Sequence, residues 1–193
     1  LVRADRMLAL DVFTGRRLWE RPMPQAAGAG NVGEFVTMED AIYVAAGRSC
    51  IVLNAATGKE QARFAMPEKI LGNLVRLRLW KNSLVGNLGK TVICMDRKTG
   101  DMQWFFEAQR AELSLAVGGN HVYVAELLNA RRGETLAKSN TKTYALNITS
   151  GRQVWQGAGG TELRYSEPHD LLLTGTAIYK GKDGSVHRKK NTA

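Results

Sequence analysis

Ala9-Leu10-Asp11-Val12-Phe13-Thr14-Gly15-Arg16-Arg17-Leu18-Trp19 decides the fold, because the chain repeats it. Residues 52–62, 94–104 and 145–155 carry close copies, and residues 178–188 a weaker one. The shared glycines are Gly15, Gly58, Gly100, Gly151 and Gly184, at steps of 43, 42, 51 and 33 residues. A period near forty marks an array of similar supersecondary units. Within the first four copies an Asx residue (Asp11, Asn54, Asp96 or Asn147) precedes the glycine by four positions, with Thr or Ser directly before that glycine. An Asx side chain accepts hydrogen bonds from backbone N–H groups of its own turn, and glycine takes a positive φ without strain. Loops of about four residues with this chemistry close antiparallel hairpins.

Working outward, an apolar strand-like run precedes every turn: residues 7–10, 50–53, 91–95 and 143–146. Four residues past the glycine stand Trp19, Trp104 and Trp155, with Ala62 and Arg188 as the exceptions. Strand residues alternate faces, so a common offset places the three indoles on equivalent faces, where they read as core residues. The stretches between copies pair in the same way: 34–38 with 41–45, 74–80 with 83–87, and 113–117 with 121–125. Each full unit is thus a four-stranded meander, and the expected fold class is all-β with short strands and regularly spaced turns. The expected organisation is a partial unit at 1–22, full units at 31–65, 74–107 and 113–156, and an abbreviated unit at 163–190.

Four-stranded units ending in Ala-x-Asp-x-x-Thr-Gly-x-x-x-Trp resemble the PQQ-like, quinoprotein-type β-propeller repeat, also known as the tryptophan-docking repeat. The first copy matches at Ala9, Asp11, Thr14, Gly15 and Trp19. The third keeps Asp96, Thr99, Gly100 and Trp104 with Cys94 in the Ala place. The fourth keeps Ala145, Gly151 and Trp155 with Asn147 and Ser150, and the second keeps Asn54 and Gly58 but lacks the Trp. The resemblance covers nearly the whole chain and implies a β-propeller, with Trp19, Trp104 and Trp155 docking between neighbouring blades. Propellers need at least four blades, so the expectation is a segment of a larger bacterial protein. The family implies two functional kinds. The leading expectation is a non-catalytic scaffold for protein interaction or assembly, without cofactor, partnered by another protein or by other domains of its own polypeptide. The alternative is a fragment of a PQQ- and Ca²⁺-dependent quinoprotein dehydrogenase oxidising alcohols or sugars. Catalytic quinoproteins commonly carry an adjacent Cys–Cys pair, and this sequence has none. The resemblance also implies a periplasmic or otherwise extracytoplasmic setting.

Composition narrows the remaining choices. The net charge is +9, from 27 Lys and Arg against 18 Asp and Glu, yet the cations are dispersed and no nucleic-acid-binding motif accompanies them. No nucleic-acid partner is expected. No apolar run approaches the ~20 residues of a spanning helix. Cys50 and Cys94 occupy equivalent strand positions and read as small buried hydrophobes. Residues 28–33 satisfy G-x-G-x-x-G but lead into a strand rather than a helix, which is the wrong setting for a dinucleotide. His121, His169 and His187 are far apart, and His169-Asp170 beside Ser166 is no triad. Asn147-Ile148-Thr149 is a glycosylation sequon already explained by its turn. No catalytic, cofactor-binding or metal residue is therefore expected. The long step to Gly151 comes from residues 126–140, expected to include a short helix from Glu126 to Arg131 stopped by Gly133. Loops of this length are commonly functional. Arg131, Arg132 and Lys138 are the candidate partner-binding residues.

Overall fold

The computed structural model describes residues 2–3, 6–22, 34–127, 140–160 and 162–189. Among them are nineteen β-strands and one short 3₁₀ turn, Glu167–His169. The first sheet runs β1 (Val2–Arg3), β2 (Arg6–Leu10) and β3 (Arg17–Pro22). In the second, β4 (Phe35–Thr37), β5 (Ala41–Ala46), β6 (Ser49–Asn54) and β7 (Glu60–Ala65) follow in order. The third comprises β8 (Leu74–Trp80), β9 (Ser83–Leu88), β10 (Thr91–Asp96) and β11 (Met102–Glu107). The fourth holds β12 (Leu113–Gly118), β13 (His121–Glu126), β14 (Lys142–Asn147) and β15 (Gln153–Ala158). The fifth holds β16 (Arg164–Ser166), β17 (Leu171–Leu173), β18 (Ala177–Lys180) and β19 (Val186–Lys189). Strand order follows chain order in every sheet, as a meander requires. The fifth sheet, expected to be abbreviated, has four strands, each only three or four residues long. The chain divides into two compact units, 1–77 and 78–193, with the division inside β8.

The last hairpin of every sheet is built alike. Its register slips once, between Ala9 and Leu10, Val52 and Leu53, Cys94 and Met95, Ala145 and Leu146, and Ile178 and Tyr179. A slip of this kind is a β-bulge, which deepens the local twist. In the first four hairpins an Asx side chain also caps the turn, and the fifth, with Lys180 at that position, keeps the slip without it. Asp11 Oδ1 accepts from the Thr14 N–H at 2.8 Å and the Thr14 hydroxyl at 2.8 Å. Asn54 Oδ1 accepts from the Thr57 N–H at 2.9 Å, and Asn147 Oδ1 from the Ser150 N–H at 3.0 Å. The Gly15 N–H then returns to the Asp11 carbonyl at 2.9 Å, a bond repeated by Gly58, Gly100, Gly151 and Gly184. Gly15 sits at φ +68°, conformational space that a Cβ makes costly.

Packing follows the two-residue period of the strands. In β13, Val122 and Val124 enter one core with Val85, Cys94, Trp104, Leu115, Tyr144 and Leu146. Tyr123 and Ala125 point the other way, into a second core with Ala116, Trp155, Leu172 and Tyr179. β12, β13 and β14 are covered on both faces and buried almost end to end, whereas β15 at the edge of the sheet is mostly exposed. Within the first unit, Met7 packs with Ile42, Val44, Ile51 and Leu53.

Candidate functional site: docking turns and the loop base

Three indoles are seated on the turn of the following sheet. Trp19 donates its Nε1–H to the Ala55 carbonyl at 2.9 Å, Trp104 to the Ile148 carbonyl at 2.7 Å, and Trp155 to the Gly181 carbonyl at 2.7 Å. The acceptor is always the residue after the Asx position, or after Lys180, which holds that position in the fifth repeat. The ring lies against the turn glycine. A Cβ on Gly58 would stand 2.6 Å from Trp19 Cε3, on Gly151 2.6 Å from Trp104 Cδ2, and on Gly184 2.6 Å from Trp155 Cδ2. The glycine therefore has two reasons to be there: its left-handed φ and the indole against it. Sequence reading found the first reason but not the second, because the indole arrives from the preceding repeat. Arg21 adds a 2.9 Å hydrogen bond to the Gly58 carbonyl beside Trp19.

The second repeat, with Ala62 at the Trp position, secures its exit differently. Arg48, in the turn between β5 and β6, donates to the carbonyls of Ile70 at 2.7 Å, Pro67 at 2.8 Å and Gly72 at 3.1 Å. The Leu74 N–H closes the loop on the Gly47 carbonyl at 2.8 Å.

The insertion between β13 and β14 has a built base. Glu126, expected to open a short helix, instead ends β13 as a fully buried side chain. Its Oε1 accepts from the Gln109 N–H at 2.8 Å and the Tyr144 hydroxyl at 3.0 Å, and its Oε2 from the Lys142 N–H at 3.0 Å. A buried carboxylate is tolerated only with its lone pairs matched in this way. Burial and the bond to Glu126 raise the Tyr144 hydroxyl above the usual tyrosine range. Arg131, Arg132 and Lys138 lie outside the described residues, as do the glycines at 28–33.

Asp170, left-handed at φ 49°, accepts from the Tyr165 hydroxyl at 3.0 Å and the Lys182 N–H at 3.2 Å, tying one turn of the fifth sheet to another. His169 beside it is exposed. Hydrogen bonds hold three carboxyls below the usual range, led by the Thr14 hydroxyl for Asp11, the Thr99 N–H for Asp96 and the Ser185 hydroxyl for Asp183. Both cysteines are free and buried, and burial pushes the Cys50 thiol up to about 12 and the Cys94 thiol to about 11. Among the described residues, no three His, Cys, Asp or Glu side chains gather as metal ligands. No helix among the described residues is long and apolar enough to cross a membrane.

Meandering sheets whose last hairpins wedge an indole onto the next glycine turn define a β-propeller of tryptophan-docking repeats. The chain belongs to the family described as outer membrane protein assembly factor BamB, which matches residues 3–171. No curated protein matches the chain. Among solved structures, BamB from Moraxella catarrhalis is 14% identical at a TM-score of 0.60, covering 97% of this chain and 56% of that one. Kluyveromyces lactis Hsv2 is 10% identical at a TM-score of 0.66, covering 96% and 57%. An Hsv2 with loop 6CD replaced by a Gly-Ser linker is 11% identical at a TM-score of 0.68, covering 98% and 61%. Identities this low speak for the fold alone. The chain spans little more than half the length of these propellers.

Proposed function

We propose that this chain is a non-catalytic interaction module, part of a longer extracytoplasmic propeller, and that it engages a protein partner through the insertion at 126–140. The observation that carries the reading is the Glu126 base. The corresponding links are short in the second, third and fifth sheets, 47–48, 89–90 and 174–176, whereas β13 and β14 are separated by 127–141. One insertion in an array of repeats commonly marks a binding face. Here the buried Glu126 side chain, at the end of one stem, accepts from the Lys142 N–H at the start of the other. Membership in the family of an outer-membrane assembly factor supports assembly work and an extracytoplasmic setting. Arg131, Arg132 and Lys138 supply the cations that would meet an acidic partner.

A photo-crosslinking residue at position 132, in the parent protein in its native host, tests the reading. The expected result is one dominant crosslinked protein, lost when Arg131 and Lys138 are changed to Glu while the melting temperature is kept. Crosslinking that survives these charge reversals would overturn the assignment of the loop. Stoichiometric micromolar binding of PQQ with Ca²⁺ would overturn the non-catalytic reading in favour of a quinoprotein dehydrogenase.

A further inference from the structure

Two positions of the last hairpin stay in solvent in all five sheets, whether or not an indole is seated on the turn. The first, two residues past the Asx position, is Phe13, Ala56, Lys98, Thr149 or Lys182, and it is exposed every time. The second, three residues past the glycine, is Leu18, Gln61, Gln103, Val154 or His187, and it too is always exposed. Gly58, Gly151 and Gly184 each have an indole against them, yet Ala56, Thr149 and Lys182 nearby remain bare. The exposure of Phe13 and Leu18 is therefore no consequence of an empty turn. They are large apolar side chains, 94% and 57% exposed, at places the fold leaves to water. Leu10 and Val12 on the same hairpin are 44% and 85% exposed. A single exposed apolar residue is ordinary, but four on one hairpin mark an interaction surface.

Charge on the same hairpin says what that surface meets. Residues 6–22 hold four arginines against two carboxylates. Both carboxylates are engaged: Asp11 Oδ1 caps the turn, and Glu20 pairs with Arg6 and Arg17. Arg16, exposed directly after the turn glycine, meets no carboxylate among the described residues. No other last hairpin joins large apolar residues at both solvent positions to two consecutive arginines. We infer that this hairpin is a membrane-surface anchor. Phe13 and Val12 enter the boundary between headgroups and acyl chains of an anionic bilayer, with Leu18 at the margin, while Arg16 and Arg17 stay with the lipid phosphates. Aromatic and aliphatic side chains gain by leaving water at that depth, and arginine lays its stem along them while its guanidinium donates to phosphate oxygens. The net charge of +9 adds attraction to an anionic surface. The bonds of Asp11 and Gly15 have already fixed the turn, so little is left to order on contact. The arginine pair directly behind the apolar tip is what favours a phosphate surface over an apolar protein groove. The inference stands whether or not the insertion at 126–140 binds a partner.

The test mixes the 193-residue chain with vesicles of phosphatidylglycerol and phosphatidylethanolamine in equal parts, or of phosphatidylcholine alone, and measures the bound fraction by flotation. The expected result is saturable binding to the anionic vesicles that weakens with added salt, and at least ~tenfold weaker binding to phosphatidylcholine. Each variant borrows the residue that another repeat carries at the same place, so the hairpin keeps a sequence this fold already uses. Phe13→Thr with Leu18→Gln, as in the fourth and second repeats, is expected to weaken anionic binding at least ~tenfold at an unchanged melting temperature. Arg16→Asp, as in the third, is expected to weaken it as well. A second measurement needs no variant: in anionic bicelles, a lipid-borne nitroxide is expected to broaden the NMR signals of the Phe13 ring well before those of Phe105, which is also exposed. Binding indifferent to the Phe13 and Leu18 changes overturns the inference, since attraction would then come from dispersed charge alone. No binding to either vesicle overturns it, as does equal binding to both or equal broadening of Phe13 and Phe105. A photo-crosslinking residue at position 13 of the parent protein that captures a protein and no lipid overturns it in favour of a protein partner.

Discussion

The second and third repeats close with nearly the same turn and leave it in different ways. Asn54 and Asp96 both cap their hairpins through Oδ1, and both turns return a glycine N–H to the Asx carbonyl. Four residues past the glycine, the third repeat has Trp104, buried on Gly151, where the second has Ala62. In the second repeat the exit is held instead by Arg48 across the carbonyls at 67–72. Turn formation and docking are therefore separable. The turn needs only residues within its own hairpin, while docking needs one large ring at one offset and a bare glycine in another repeat.

The comparison is sharpened most by removing the ring. Trp104→Ala is expected to cost about 3–5 kcal/mol in chemical denaturation, in line with truncation of a buried indole. A cost below ~1 kcal/mol would mean that the indole merely decorates the turn. Next comes Arg48→Ala, expected to cost about 1.5–3 kcal/mol because its bonds come from a charged group. It is also expected to speed proteolysis within 67–72. Arg48→Lys is expected to restore little, since one ammonium cannot reach several carbonyls as the guanidinium fork does. Cleavage rates unchanged by Arg48→Ala would break the claim that this side chain replaces the missing Trp.

Glycine substitutions separate the two roles of that residue. Gly15→Ala and Gly151→Ala both impose a left-handed alanine, at about 1–2 kcal/mol. Only at Gly151 does the new methyl collide with an indole. Gly151→Ala is expected to exceed Gly15→Ala by a further ~1–3 kcal/mol of overpacking, read from paired urea melts. Equal costs would show the ring to be more yielding than its packing implies.

The smallest effect concerns acid. Asp96 has its folded pKa lowered by the Thr99 and Lys98 N–H groups. Its contribution to stability is therefore present above the unfolded value near ~3.9 and lost as pH falls through the folded one. Asp96→Asn is expected to leave neutral stability within ~0.5 kcal/mol and to flatten the acid limb of a pH titration. Asn54→Asp is expected to steepen it. Unchanged acid limbs in both variants would mean that neither Oδ1 is held as tightly in solution as in the structure.

The hairpins were legible because their code is local: Asp11 bonds to residues two and three ahead, and the glycine follows at once. The sheets were legible for a related reason, since consecutive apolar runs separated by tight turns pair as a meander. Glu126 was misread as a helix start because only the fold places it inside, against Gln109 and Tyr144. Nothing in the sequence singles out Arg48, because its acceptors are backbone carbonyls, which carry no sequence signal. The fifth sheet looked abbreviated because its strands are three or four residues long, too short to show a period.

By itself the sequence determined the repeat, the Asx-glycine turns, the all-β class and the offset of the three tryptophans. Only the tertiary structure decided where each indole lands, which carboxylate goes inside, and that Leu10 and Val12 stay bare. A turn is settled by bonds between residues two to five apart. The indole bonds join residues 26 to 44 apart, and their partners are set by how one sheet packs on the next.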